Sequence, residues 1–202
     1  MENLIVYGAG DLGCEYVWFI KAINEKEPRW NLIGFIDDYL PKGKTVFDYK
    51  VLGGKEYLFG VSEKVNVICA ITNPTTRKKI ISDLKEGPLV KFPILIHPSA
   101  IISNQVKIGG GTVIGPGCVI SIHVEVGKHV IVSQNSSLSS HVNIGDYVTI
   151  APACNLGDHV KIGEGAFIGI GNSIMSKSTI SSNTVLGADV ALTEDMSPFN
   201  KP

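Results

Sequence analysis

Two adjacent residues in the second half of the chain, Ser140 and His141, carry side chains suited to proton transfer, within the run SSLSSHVNIGDYVTIAP at 136–152. Imidazole is the side chain that most often takes a proton from a hydroxyl or amine as it attacks a carbonyl near neutral pH. His141 is therefore the candidate general base and Ser140 the alternative. Glu125 and Asp146 are the candidate partners that would orient it. His123, His141 and His159 recur at intervals of 18 residues. If 18 residues make one turn of a coil, the three rings stack in a column about 4.8 Å apart, the spacing of parallel strands. A histidine column also suggests metal, but zinc needs three or four convergent ligands. His129 takes the equivalent place on another face, so the spacing reads as an outward place that tolerates polar residues. No metal site is expected.

A second constellation lies at the start of the chain. Gly8-Ala9-Gly10-Asp11-Leu12-Gly13 follows the apolar run Leu4-Ile5-Val6-Tyr7 and precedes a helical pattern. In that context glycines let the backbone approach a phosphate, and the helix N-terminus favours the anion. Asp37, 24 residues beyond Gly13, closes the next strand, where an acid contacting a ribose would sit. Dinucleotide, mononucleotide and sugar-nucleotide binding all fit, as does a glycine turn with no ligand. A complete dehydrogenase does not fit, because fewer than about 100 residues hold only half of a dinucleotide fold.

The elements that must position these residues differ between the two halves. Of 15 Phe, Tyr and Trp residues 12 lie before residue 96, with 13 of the 18 Lys and Arg. The first half alternates strand and helix: strands at Leu4–Tyr7, Asn31–Ile36 and Val65–Ile71, helices at Cys14–Asn24 and Thr75–Lys85, the last stopped by Gly87-Pro88. This predicts a small doubly wound α/β unit. Arg77-Lys78-Lys79 reads as a solvated helix face, with a phosphate contact as the alternative.

From Ile96 the chain steps by six through Ile102, Ile108, Ile114, Ile120, Val126, Val132, Leu138, Ile144, Ile150, Leu156, Ile162, Ile168, Ile174, Ile180 and Leu186. All 16 positions are aliphatic, without insertion. Gly follows in eight of the 16 hexads, easing the corners, and the fifth place is usually small. No helix or ordinary strand has a period of six. The pattern resembles the hexapeptide repeat of left-handed parallel β-helices, three hexads to a triangular coil, so just over five coils are expected. Cys118 and Cys154 take the small fifth place and read as buried filler. The domains are then a Rossmann-like unit at 1–95, a left-handed β-helix at 96–192 and a tail at 193–202.

Composition narrows the function classes. A net charge of −1 and pI near 6.5 give no electrostatic reason for nucleic-acid or anionic-membrane binding. No apolar stretch reaches the length of a membrane span. The N-terminus lacks a signal-peptide pattern, and four dispersed cysteines fit a reducing compartment. A cytoplasmic location is expected.

Taken in order, "YGAGDLG", "IGFIDD", "VLGG", "AITNPTTRKKI", "FPILIHPSAIIS", the repeat and "VKIGEGAFIGIGNSI" resemble the hexapeptide-repeat sugar O- and N-acyltransferases, which include sialic acid O-acetyltransferase and the acetyltransferases of amino-sugar nucleotides. The resemblance implies acyl transfer from acetyl-CoA to a hydroxyl or amine of a sugar or nucleotide-linked sugar, in a homotrimer with active sites at subunit interfaces. It puts the sugar-nucleotide site on Gly8, Ala9, Gly10, Asp11, Asp37, Asp38 and the segment around Thr72. It puts the acetyl-CoA contacts on Thr149, Ile170 and Ala188. Three departures from the family pattern stand out. The family's His stands third in its hexad and an acid fourth, whereas here Ser140 is third and His141 fourth. A local bulge would be needed to return His141 to the groove. In "IGDYVTIAP" Thr149 replaces a second family His, and the end of the chain at Met196–Pro202 lacks the family's covering segment. The alternative implied is a nucleotide-sugar-binding homologue with little or no catalysis.

Overall fold

In a computed structural model, which describes residues 1–84 and 89–196, the chain divides into two compact units. The first comprises Met1–Thr72 and Thr76–Pro98; the second runs from Ser99 and includes Asn73–Thr75.

The first unit is a six-stranded sheet flanked by helices. Its strands are β1 (Glu2–Tyr7), β2 (Trp30–Ile36), β3 (Thr45–Val46), β4 (Tyr49–Gly53), β5 (Val65–Cys69) and β6 (Val90–Lys91). They lie in the order β3-β4-β2-β1-β5-β6, parallel except for the β3–β4 hairpin. Helix α1 (Asp11–Lys26) buries Gly13, Tyr16, Val17, Phe19 and Ile20, one stripe at helical spacing. A core of Ile5, Tyr7, Ile36, Leu58, Val65, Val67 and Leu84 joins the sheet to α2 (Glu56–Phe59) and α3 (Pro74–Leu84). The proposed stop at Gly87-Pro88 lies outside the described residues, as do 197–202 of the expected tail.

Arg77 departs from the solvated helix face expected of it. It is 1 % exposed and donates from Nη1 to the carbonyls of Ile71 at 2.6 Å and Thr72 at 3.0 Å. A buried guanidinium needs such acceptors, and the turn after β5 supplies them, while Lys78 and Lys79 stay exposed.

The second unit is a left-handed parallel β-helix of two-residue strands, each made of the sixth place of one hexad and the first of the next. Strands 18 residues apart pair in parallel, as in Val119↔Ser137 and Glu125↔Asn143, giving three flat faces. The aliphatic first places fill the prism: Ile114, Val132, Ile150, Ile168, Ile180 and Leu186 are all fully buried. The repeat runs one hexad further than the 16 predicted, to Ala191–Leu192.

Two places in the hexad work differently from expectation. The glycines in second place do not ease corners; they allow coils to stack. A Cβ at Gly145 would lie 2.7 Å from the Glu164 nitrogen of the next coil, and one at Gly109 would lie 2.6 Å from the Gly127 carbonyl carbon. The corners fall on the fourth place, where His123, His129, Asn135, His141, Tyr147, Ala153, His159, Lys177, Asn183 and Asp189 all have φ between 54° and 69°. That left-handed conformation favours Asn, Asp and His among non-glycine residues, which explains why this place is polar.

Candidate functional site

Each unit carries one arrangement with chemical potential. In the first, Gly8 ends β1 with φ +103° and turns the chain toward α1, where Gly10 stands as N-cap without a side-chain bond. A methyl on Gly13 would overlap the Gly8 carbonyl oxygen, so this glycine lets strand and helix close on each other. Nothing lies within 4 Å of a Cβ built on Gly10, so the space above the helix start is open.

Asp37, expected to meet a ribose, is engaged by the main chain. Its Oδ2 accepts from the Ala9 amide at 3.0 Å, and its Oδ1 accepts from the amides of Tyr39 at 2.9 Å and Leu40 at 3.1 Å. Asp38 accepts from the Tyr7 hydroxyl at 2.6 Å and the Lys55 amide at 2.8 Å. The two carboxylates thus tie the ends of β1, β2 and β4 into one rim. Burial, and next the Asp38 carboxylate, push the Tyr7 phenol far above its ordinary range, so it stays a donor.

A cavity of about 220 Å³ opens on this rim, lined by Gly8, Asp37, Asp38 and Tyr39, and by Thr76, Lys79, Ile80 and Asp83 of α3. Asp11 is exposed in the first turn of α1, and Thr72 gives its carbonyl to Arg77. Of the residues expected here, Gly8, Asp37 and Asp38 meet in one cavity, with Ala9 bonded to its rim. Lys79 lies where a phosphate contact was the alternative reading of the Arg77-Lys78-Lys79 run, while Tyr7, Tyr39, Lys55, Thr76, Ile80 and Asp83 were missed. The i, i+3, i+4, i+7 spacing of Thr76, Lys79, Ile80 and Asp83 was the available signal.

In the second unit the predicted column exists. The ring centroids of His123 and His141 are 4.9 Å apart, and those of His141 and His159 4.7 Å. All three side chains are exposed. No bulge intervenes: Asn143 and Ile144 pair with Lys161 and Ile162 in the regular register, and His141 sits on the corner with φ 59°. Ser140, one residue back, donates from its amide and its hydroxyl to Asp158 Oδ1, at 3.0 and 2.8 Å.

The candidate orienting acids are turned elsewhere. Glu125 pairs with Lys107 Nζ at 2.7 Å and accepts from Asn143 Nδ2 at 3.4 Å. Asp146 Oδ1 accepts from the Lys128 amide at 2.7 Å. Among the described residues no group of three or more His, Cys, Asp or Glu converges as a metal site would.

The three expected acyl-CoA residues fall on two environments. Ile170 and Ala188 occupy the same place on successive coils, both exposed, the Ile170 carbonyl accepting from the Asp189 amide at 2.8 Å. Thr149 is buried in the strand Thr149–Ile150 and offers little side-chain surface to a ligand. Cys118 and Cys154 are fully buried, their thiols directed to the carbonyls of Ser133 and Gly169. Among the described residues no helix is long and apolar enough to cross a membrane.

With this geometry in hand, known proteins give a consistent picture. Residues 3–84 match the PglD N-terminal domain. The whole chain is similar in fold to the acetyltransferase domain of PglB from Neisseria gonorrhoeae, solved in complex with acetyl coenzyme A. The TM-score is 0.86 at 24% identity, over 96% of this chain and 92% of that one. A histidine-to-alanine mutant of GDP-perosamine N-acetyltransferase from Caulobacter crescentus, in complex with CoA and GDP-perosamine, superposes with a TM-score of 0.87 at 22% identity, over 97% and 90% of the two chains. WeeI from Acinetobacter baumannii gives 0.67 at 25% identity, over 94% and 95%. Among curated proteins none matches the chain. The shared property is architecture: a PglD-type N-terminal domain followed by a hexapeptide-repeat β-helix.

Proposed function

We propose that this chain is a hexapeptide-repeat sugar acyltransferase that moves an acetyl group from acetyl-CoA to a hydroxyl or amine of a nucleotide-linked sugar. The observation that carries the reading is the exposed imidazole of His141 on the β-helix of a chain whose fold covers 92% of an acetyl-CoA-bound acetyltransferase domain. His141 acts as general base: it takes the proton from the acceptor as the acceptor attacks the thioester carbonyl, and returns it to the departing CoA sulfur. Ser140 is the weaker candidate because its hydroxyl is already donated to Asp158.

The acceptor's nucleotide is assigned to the Gly8–Asp38 rim. The open helix start at Gly10 suits a phosphate, and Lys79 adds a cation on the cavity wall. Gly8, Ala9, Gly10, Asp11, Asp37, Asp38 and the Thr72 segment are the proposed acceptor site; Asp37 shapes the rim through its backbone bonds and keeps lone pairs for a sugar hydroxyl. Ile170 and Ala188 are the proposed acetyl-CoA contacts, with Thr149 contributing shape from beneath. The enzyme is proposed to work as a homotrimer with its active sites where neighbouring β-helices meet. Ile101, Val119 and Ile122 stand 68%, 45% and 45% exposed on adjacent coils, apolar surface that a neighbouring subunit would cover. The four free cysteines suit a cytoplasmic location.

One observation favours a second reading, sugar-nucleotide binding without turnover. The left-handed corner that holds His141 is filled elsewhere in the β-helix by Asn, Asp, Tyr, Ala and Lys, so a histidine there needs no catalytic role. Release of free CoA thiol from acetyl-CoA, measured with a panel of nucleotide-linked amino and hydroxyl sugars, separates the two. Acceptor-dependent release is expected. Acceptor binding without thiol release, together with no acetyl-CoA binding by calorimetry, would establish the second reading.

A further inference from the structure

We propose that His159, and more weakly His123, are positioning residues that hold the His141 imidazole in the orientation from which it takes the acceptor's proton. The inference rests on the acyltransfer reading above. A proton-accepting imidazole on a solvent-facing corner has two free torsions, and their loss opposes any single productive orientation. The usual restraint is a carboxylate or carbonyl bonded to the second ring nitrogen. Here that restraint is missing: among the described residues, Glu125, Asp146 and Asp158 bond to Lys107 and Asn143, to Lys128, and to Ser140, and none reaches His141.

The flat faces of two neighbours take its place. The His159 ring lies 4.7 Å from that of His141 with 2° between the planes, and the His123 ring lies 4.9 Å away at 26°. Main-chain bonds set the spacing of the stack, His141 N to Ile122 O at 3.1 Å and His159 N to Ser140 O at 3.0 Å. A ring sandwiched this way cannot tilt out of the stack without losing contact with both neighbours, so the plane of the imidazole stays fixed. The near-parallel His159 ring restrains it more than the tilted His123 ring. Glu125, Asn143 and Lys161 line the groove beside His123 and His141, where an acceptor would approach.

The molecule itself supplies variants that keep the corner intact. Asn135 and Asn183 hold the same hexad place with φ 58°, so His159→Asn removes the ring and preserves the turn. Tyr147 holds that place with φ 59° and stacks on His129 at 5.3 Å and 10°, so His159→Tyr restores a flat ring without an imidazole. Steady-state kinetics should show His159→Asn lowering kcat about tenfold, the rate equivalent of roughly 1.4 kcal/mol, with KM for both substrates unchanged. His159→Tyr should recover most of that loss, and His123→Asn should lose less than His159→Asn. In carbon–proton NMR spectra the His141 ring protons should move downfield in His159→Asn and stay in place in His159→Tyr.

An unaltered kcat in His159→Asn, or equal losses in the Asn and Tyr variants, overturns the positioning role and leaves the acyltransfer reading intact. Unmoved His141 resonances in His159→Asn overturn the stack itself. A wild-type protein that turns over no acceptor overturns the acyltransfer reading, and this proposal with it.

Discussion

Ser140 and Asp158, on successive coils of the β-helix, are joined by two hydrogen bonds to one carboxylate oxygen, from the Ser140 hydroxyl at 2.8 Å and its amide at 3.0 Å. The pair commits the Ser140 hydroxyl to a carboxylate, and the proposed mechanism gives proton transfer to the adjacent imidazole. Ser140→Ala removes one exposed hydrogen bond and should change stability by no more than about 1 kcal/mol, with thiol release retained. His141→Asn keeps a residue suited to φ 59° but removes the base. With His141 as the proposed base, this variant should lower kcat roughly 10²- to 10⁴-fold at an unchanged melting temperature. Full activity in His141→Asn would remove this residue from the mechanism.

The glycines of the first turn should separate by role. Gly13→Ala places a methyl into the Gly8 carbonyl oxygen and forces β1 and α1 apart, a loss of about 3 kcal/mol at the upper end of overpacking effects. Gly10→Ala meets nothing within 4 Å and should lower the melting temperature by no more than about 4 °C, since Ala is a poorer N-cap than Gly by up to about 1 kcal/mol. Its methyl instead projects at the helix start, so nucleotide-sugar affinity by calorimetry should fall about tenfold, the equivalent of about 1.4 kcal/mol. Equal affinity in the wild type and Gly10→Ala would remove the helix start from the acceptor site.

What could be read in advance followed from strict spacing. A six-residue aliphatic period admits one packing, and it carried with it the strand register, the histidine column and the adjacency of Ser140 and His141. The choices made by local backbone geometry were hidden. The β3–β4 hairpin turns on Phe47 and Asp48, with φ 45° and 71°, where the usual signal is Asn-Gly, so nothing in the sequence marked it. The polar fourth place looked like indifferent surface because composition alone does not show a left-handed corner. Arg77, inside an Arg-Lys-Lys run, looked solvated; only the folded turn at Ile71–Thr72 shows the carbonyls that hold it. In the candidate site the glycine turn and both aspartates were legible, but their bonding to backbone amides was not, because it depends on how three strand ends meet.

Asn172 should be among the most sensitive residues of the β-helix. It is fully buried in the fifth place and donates to the carbonyls of Gly169 at 2.6 Å and Gly187 at 2.7 Å, while accepting from the Val190 amide at 3.0 Å. Asn172→Ala leaves the Gly187 carbonyl and the Val190 amide without their partner, while the Gly169 carbonyl keeps the Cys154 thiol, and opens a small cavity; it should lower stability by about 2 kcal/mol. Denaturant unfolding followed by circular dichroism would measure it. A loss below about 0.5 kcal/mol, the range of a neutral surface change, would show that the coil relaxes to let water replace the amide.

The buried thiol of Cys69 links the first unit's stability to alkaline pH. Burial lifts its pKa from the ordinary 9.0 to about 12, against a smaller lowering by the nearby Arg77. The unfolded chain releases this proton near 9, whereas the folded one holds it to about 12, so above pH 9 the native state binds more protons than the unfolded state. Stability from this group is therefore complete below pH 9 and is lost progressively as pH rises to about 12. Melting temperatures should fall between pH 8 and pH 10.5, and Cys69→Ala should show a shallower fall while being somewhat less stable at pH 8. Thiol reagents at pH 8 should leave Cys69 unmodified until the protein is denatured, because both its burial and its protonation withhold the thiolate. An identical alkaline slope in wild type and Cys69→Ala would assign the loss to other groups, such as the buried phenols of Tyr7 and Tyr16, which burial likewise pushes upward.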